Sequence, residues 1–345
     1  MKLDFLKRRP SLQPTGVDLA YRRTTNRIGA TLLLFLILFD TLGLVFLPAV
    51  SLGEELLPTD AAYALEDVLD SITYLLSFML PAILFYLITP KRDRLPMQLS
   101  PRMPRGTLWL ILMGMTVIST AAIVNSWMVS LFDYGTFSSE VLWETSTMQD
   151  FEGVLLFLST AIVPAFCEEF LFRGIICNHL RPYGKTVAVV GSSLLFGLMH
   201  QNVGQMFYAT VAGVVLSVIY LESRSIWAPT LLHMFNNLTS VVYDIVADRL
   251  SRTSANRVLA LLDAFVIGLG LIALLCWMIR GDRARAKCEE GSILNGQWRE
   301  EASLGVPTAA FRVRYFFSPM MLAFVGLALW QMIVLLSYAI RYIYG

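Results

Sequence analysis

From residue 28 onward the apolar residues of this chain run in blocks of about twenty, rather than at the three- and four-residue spacing of an amphipathic surface helix. A block of that length crosses a bilayer, and with no water in the hydrocarbon to satisfy its peptide groups it does so as an α-helix. At 56% hydrophobic and 15% charged residues over 345 positions, the composition excludes an ordinary soluble domain. The expected fold class is an all-α polytopic transmembrane helical bundle of eight to nine spans, with any functional site in a polar intramembrane cavity. Spans are expected near 28–52, 68–89, 107–132, 153–180, 186–201, 205–221, 226–246, 257–279 and 315–342.

The loops set an orientation. Residues 1–27 are polar and basic, end in YRRTTNR, and lack the apolar core and small-residue cleavage site of a signal peptide, so the first span is expected to remain as an anchor. Basic KRDRLPMQLSPRMPRG then alternates with acidic GEELLPTDAAYALED and SSEVLWETSTMQDFEG, which makes the N-terminus cytoplasmic. RPYGK, ESRS and RGDRARAKCEEG fall inside on the same scheme, and ADRLSRTSANR is the one mildly basic loop outside. Nine spans would leave the C-terminus outside. A bacterial plasma membrane suits this pattern. With net charge +1 and the basic residues placed by orientation, nothing points to nucleic acid. Cys167, Cys177, Cys276 and Cys288 show no CxxC spacing, so neither a disulfide framework nor a thiolate zinc site is expected.

The chain divides into a basic N-terminus (1–27), three N-terminal spans (28–150), a core rich in ionisable groups (151–280), a polar cytoplasmic linker (281–314) and an additional C-terminal helix (315–345). The first three spans read as lipid-facing or scaffold helices. Asp40 and Asn125, lone polar residues within them, are expected to hydrogen-bond between helices. Asp70 and Asp263 lie near span ends and are expected to be wet.

Chemistry is expected where CEEFLFRGIICNHL, residues 167–180, puts two carboxylates and a guanidinium into the fourth span. A carboxylate at a span centre costs about 2.5–3.5 kcal/mol on insertion scales, so something must compensate. Glu169 and Arg173 are four apart on one helix face, acid N-terminal to base, which suits a structural ion pair. Glu168 is rotated about 100° from its neighbour and has no cation at helix spacing, so its partner must come from elsewhere. Burial beside a second acid suits it to work as a general base. Pro164, four residues earlier, lacks an amide donor and is expected to disturb the helix beside the pair.

Two histidines are candidates for that partner, His200 in the fifth span and His233 in the seventh. At ~1.5 Å of rise per residue, Glu168, His200 and His233 lie about 18, 22 and 12 Å from the nearest expected cytoplasmic ends, so they can meet near mid-membrane. Asn237 follows His233 by four residues and shares its face, whereas Asn236 is turned roughly 100° away. A His and an Asn side by side can donate to one oxygen, as an oxyanion hole requires. His179, at the end of the fourth span, is expected to be interfacial and inert. Phe196 reads as packing.

Together these residues resemble the CAAX proteases and bacteriocin-processing (CPBP) enzymes, intramembrane glutamic endopeptidases that include the Ras-converting type II CAAX endopeptidases. The family signatures EExxxR, FxxxH and HxxxN stand here as EEFLFR (Glu168 to Arg173), FGLMH (Phe196 to His200) and the first five residues of HMFNNL (His233 to Asn237). The resemblance covers the fourth to seventh spans. It implies that Glu168 activates water with help from His200, that His233 and Asn237 form the oxyanion hole, and that Glu169 and Arg173 support the site. It also implies neither metal nor cofactor, and as partners the lipid bilayer and a membrane-associated peptide or protein substrate. Three other readings stay open: zinc hydrolysis with one carboxylate and two histidines, for which HExxH is absent; a non-catalytic immunity or scaffold protein; and a transporter, for which paired broken helices with internal symmetry are absent.

Overall fold

The computed structural model describes residues 13–104, 106–131, 157–288, 305 and 307–344, and among them every long element is a helix. In chain order these are α1 (Gly16–Leu56), α2 (Thr59–Ile88), α3 (Thr107–Ser130), α4 (158–180), α5 (Lys185–Met199), α6 (Val203–Ser223), α7 (Trp227–Arg249), α8 (Arg252–Cys288), α9 (Ala309–Phe316) and α10 (Pro319–Tyr344). By length and composition α1, α2, α3, α6, α8 and α10 can each cross a membrane. The fold is an all-α polytopic bundle.

The helix starts follow local chemistry. Thr15 and Asp18 form a capping box: the Thr15 hydroxyl accepts from the Asp18 amide at 3.2 Å, and Asp18 accepts from the Thr15 amide at 2.8 Å. The first helix therefore begins at Gly16, twelve positions before the expected span, and its first turns carry Arg22, Arg23 and Arg27. Asp18 also accepts from the amide of Thr308 at 2.8 Å, which pins the start of α9 to the start of α1.

The segment expected as a linker is partly helical. The eighth helix runs without interruption to Cys288, and α9 occupies 309–316. The last long helix starts at Pro319, not at 315, because Phe317 and Ser318 break the chain between α9 and α10. Pro at a first helical position suits that restart. α10 lies against α1 so closely that a Cβ on Gly29 would stand 2.2 Å from the Met321 amide nitrogen. Here glycine is needed to let two backbones touch.

Both lone polar residues of the early spans bridge helices as expected. Gln331 on α10 donates to Asp40 at 2.6 Å, and Asn125 on α3 donates to the Gly204 carbonyl of α6 at 2.7 Å. Asp263 is not simply wet, since it accepts a hydrogen bond from Tyr243.

One end of the bundle is tied together by its loops. Arg27 pairs with Asp93 at 3.3 Å, Asn178 donates to the Pro96 carbonyl at 3.0 Å, and the Ile226 amide donates to Gln98 at 2.9 Å. The starts of α1, α3, α5 and α7 and the ends of α2, α4 and α6 thus share this end. His179 belongs to it as well. It is 4% exposed; its Nδ1–H donates to the Ile175 carbonyl at 2.8 Å and its Nε2 accepts from the Leu95 amide at 3.2 Å.

Candidate active site

The fourth helix is not uniformly α. Leu158–Ile162 and Phe170–Cys177 are wound as π-helix, and the short α segment Val163–Glu169 between them carries both glutamates at its C-terminal end. A π turn costs hydrogen-bond quality and changes the direction of the side chains beyond it, and such turns recur at functional sites. Pro164, which lacks an amide donor, sits where the first π segment gives way to the α segment.

Glu169 and Arg173 make the expected pair, completely buried, with Nη1 2.6 Å from Oε1. The guanidinium does more than neutralise. Its Nη2 donates to the Gly213 carbonyl of α6 at 3.2 Å, and it stands 4.6 Å over the Phe196 ring of α5. One side chain thereby fixes three helices. Phe196, read as packing, is also the plate against which the cation and both histidine rings stand, the rings edge-on at 5.0 Å for His200 and 5.9 Å for His233.

Glu168 stands clear of the Arg173 pair, as its rotation of about 100° along the helix predicts. It is 4% exposed; its Oε1 accepts a hydrogen bond from the phenol of Tyr74 on α2, and its Oε2 has no hydrogen-bond partner. The Nε2 of His233 lies 3.7 Å from that second oxygen, while Nδ1 of the same ring donates to Glu169 Oε1 at 2.9 Å. His233 therefore stands between the two glutamates. The paired acid orients it toward the free one.

His200 ends α5. Its Nδ1–H donates to the Phe196 carbonyl at 2.8 Å, which leaves Nε2 as the bare, accepting nitrogen. Gln201 follows in the left-handed region at φ 54°, Asn202 caps α6 by accepting from the Gly204 amide at 2.8 Å, and Asn125 holds the Gly204 carbonyl. This tight turn fixes the end of α5. Gly197 makes it possible, because a Cβ there would stand 2.0 Å from Thr210 Oγ1 and 2.7 Å from the Met206 carbonyl.

Asn237 donates to the Thr160 carbonyl of the first π segment at 3.4 Å. Asn236 is not turned away, contrary to the helix-wheel expectation. It accepts from Tyr208 at 2.6 Å and donates to Asn237 Oδ1 at 3.4 Å, so it holds the oxygen of the neighbouring amide. The wheel treats one helix alone, and here α6 supplies a phenol on the second face.

A cavity of about 420 Å³ joins these groups: Glu168, His200, His233, Asn236, Asn237 and Tyr74 all line it. All four residues expected to do chemistry thus face one space, and Glu169 and Arg173 lie behind its wall. Among the described residues no three His, Cys, Asp or Glu side chains converge as a metal-ligand set.

Tyr74 is the site residue that sequence reading missed. The second span reads as lipid-facing or scaffold by its apolar block, yet Asp67, Asp70, Ser71 and Tyr74 follow helical spacing, and all four line the cavity. A polar stripe on an otherwise apolar span was the available signal.

Residues 150–239 match a protein-family model described as type II CAAX prenyl endopeptidase Rce1-like. A 94-residue stretch is 30% identical to YdiL of Bacillus subtilis (strain 168), which is named as a candidate membrane peptidase. The matched stretch is 26% of this chain and spans 38% of that relative's length. No solved structure matches the chain. The family match contains all three signatures, from Glu168 to Asn237, and the residues in them are those that line or back the cavity. Over this segment the chain is similar to the Rce1-like type II CAAX prenyl endopeptidases and to that membrane peptidase.

Proposed function

We propose that this protein is an integral membrane endopeptidase that hydrolyses a peptide bond of a membrane-associated protein or peptide with water activated by Glu168. The observation that carries the reading is the free Oε2 of a buried glutamate opening on a cavity shared with His200, His233 and Asn237. Groups this costly to bury, gathered on one space, are what a reaction needs and a scaffold does not.

In this reading a water in the cavity donates one hydrogen bond to Glu168 Oε2 and another to the bare Nε2 of His200. As the water oxygen attacks the peptide carbonyl, Glu168 takes the proton, and the carbonyl becomes a tetrahedral oxyanion. Asn237 donates to that oxyanion from its amide. His233 donates from Nε2 when its ring carries both protons, with the two glutamates at 2.9 and 3.7 Å as counter-charges. Glu168 then passes its proton to the amide nitrogen, the C–N bond breaks, and an acid and an amine leave. No covalent acyl intermediate forms. Tyr74 holds Oε1 so that Oε2 remains the working oxygen.

The test compares membrane peptides in cells carrying wild type and Glu168→Gln. An uncut substrate accumulates with the variant, and its fragments appear only with wild type. Identical profiles at equal amounts of folded protein would defeat the assignment.

A further inference from the structure

The cavity has a direction. Its floor is formed by buried Ile118, Phe196, Ala209 and Leu216, and its exposed polar lining residues are Asp70, Gln205 and Ser240. Asp70 lies in the first half of α2, Gln205 in the first turn of α6 and Ser240 in the second half of α7. All three stand toward the end of the bundle opposite the tied loops. The fifth helix, with 15 residues, is only about 22 Å long against ~30 Å of hydrocarbon, so its turn at His200 and Gln201 stops short and leaves room beside that rim.

Toward the tied end the described residues pack closely. Between Arg173 and that end lie Ile176, Leu180 and Tyr220, each fully buried, and Tyr183 at 3%. A polypeptide approaching from that side meets a packed core over more than two helical turns.

The two ends also differ in charge. The tied end carries Arg22, Arg23 and Arg27 on α1, and the α2–α3 loop adds Lys91, Arg92, Arg94 and Arg102. Arg181, Lys185 and Arg224 lie there too, against Asp18, Asp93 and Glu222. The rim end has Glu54, Glu55, Glu66, Asp67 and Asp70 around the α1–α2 turn, against Arg249, Arg252 and Arg257 at the α7–α8 turn. Cytoplasmic loops are the ones that hold the excess of Lys and Arg.

We propose that the cavity opens on the extracytoplasmic side, so that its substrates are polypeptide segments at the outer boundary of the bilayer, in exported or membrane-anchored proteins, rather than chain ends offered from the cytoplasm. The substrate class rests on the peptidase reading. The direction of opening does not.

Single cysteines at Ser240 and Gln205 on the rim, and at Ser100 on the basic end, are placed in the full chain and exposed to a membrane-impermeant maleimide. Labelling of the native cysteines in the parent protein is subtracted. In intact spheroplasts Ser240→Cys and Gln205→Cys react at least tenfold faster than in sealed inside-out vesicles, and Ser100→Cys does the reverse. Rim cysteines that react faster in inside-out vesicles, or that react from neither side in protein that remains monodisperse in detergent, overturn the proposal. Mapping the cut ends in wild-type and Glu168→Gln membranes separates the two ideas. Rim labelling from outside with unchanged peptide profiles would refute catalysis alone. Cut ends that depend on Glu168 but lie in cytoplasmic segments would refute the direction alone.

Discussion

The phenol of Tyr74, on the second helix, donates a hydrogen bond to Oε1 of Glu168, on the fourth. The bond joins a span without a family signature to the carboxylate at the centre of the signature-bearing region, and it leaves Glu168 one engaged and one free oxygen. Tyr74 stacks on Phe78 at 4.8 Å and meets Phe39 edge-on at 6.1 Å, so packing on α1 and α2 aims its hydroxyl.

Tyr74→Phe keeps the ring and removes the donor. A hydrogen bond to a charged group is worth about 1.5–3 kcal/mol, and since this one orients the base rather than binds substrate, its loss falls on turnover. The variant is expected to lose roughly tenfold or more in kcat with KM nearly unchanged, measured on a peptide cut by wild type. A rise in KM at constant kcat would make Tyr74 a substrate-binding residue instead.

Arg173 is expected to matter first for the fold. Its guanidinium joins Glu169, the Gly213 carbonyl and the Phe196 ring, and removing one member of a buried pair costs about 3–5 kcal/mol because the other charge is left behind. Arg173→Ala should lower the thermal midpoint in detergent sharply, and Arg173→Lys should recover only part of it, since an ammonium cannot span the three partners. Glu168→Gln, whose free oxygen faces the cavity, should leave the midpoint close to wild type.

Gly197 tests the placement of His200. A methyl there runs into Thr210 and into the Met206 carbonyl, so Gly197→Ala must push α5 and α6 apart, at a cost of about 1–3 kcal/mol. Activity should fall with stability. Adding Thr210→Ala removes the side-chain clash and leaves the backbone one, so the double variant should regain stability in part. Complete recovery would mean that the backbone approach is unimportant.

Asp40→Asn separates a structural role for the lone acid of α1 from one in the reaction. With Gln331 as its partner on α10, the neutral amide can keep a hydrogen bond, and interhelical bonds of this kind in membranes average about 0.6 kcal/mol. Thermal midpoint and peptide cleavage are both expected to stay near wild type. Loss of cleavage in a folded variant would tie Asp40 to the reaction.

Much of the bundle could be read from residue order because a spanning block has few alternatives. Apolar length put helices where α2, α3, α6, α7 and α8 run, and the i,i+4 rule paired Glu169 with Arg173 and turned Glu168 away. Helix wheels failed where a second helix decided the outcome. Asn236 faces Tyr208 of α6, and Tyr74 reaches Glu168 across ninety-four positions of sequence, a distance no local pattern encodes. Helix ends were misplaced for a similar reason. The Thr15–Asp18 cap and the buried face of α1 extend that helix well beyond its apolar block, and the break at Phe317 and Ser318 lies inside an apolar run.

The central claim is that Glu168 activates the attacking water in a cavity it shares with His200, His233 and Asn237. Its most direct measurement is single-turnover cleavage of a peptide that accumulates in Glu168→Gln membranes, by purified wild type and purified Glu168→Gln in the same lipid, with equal thermal midpoints as proof of folding. The account predicts cleavage by wild type and a loss of about 10²–10⁴-fold in the variant, the range of general-base catalysis. Cleavage by folded Glu168→Gln within a few fold of wild type would contradict it.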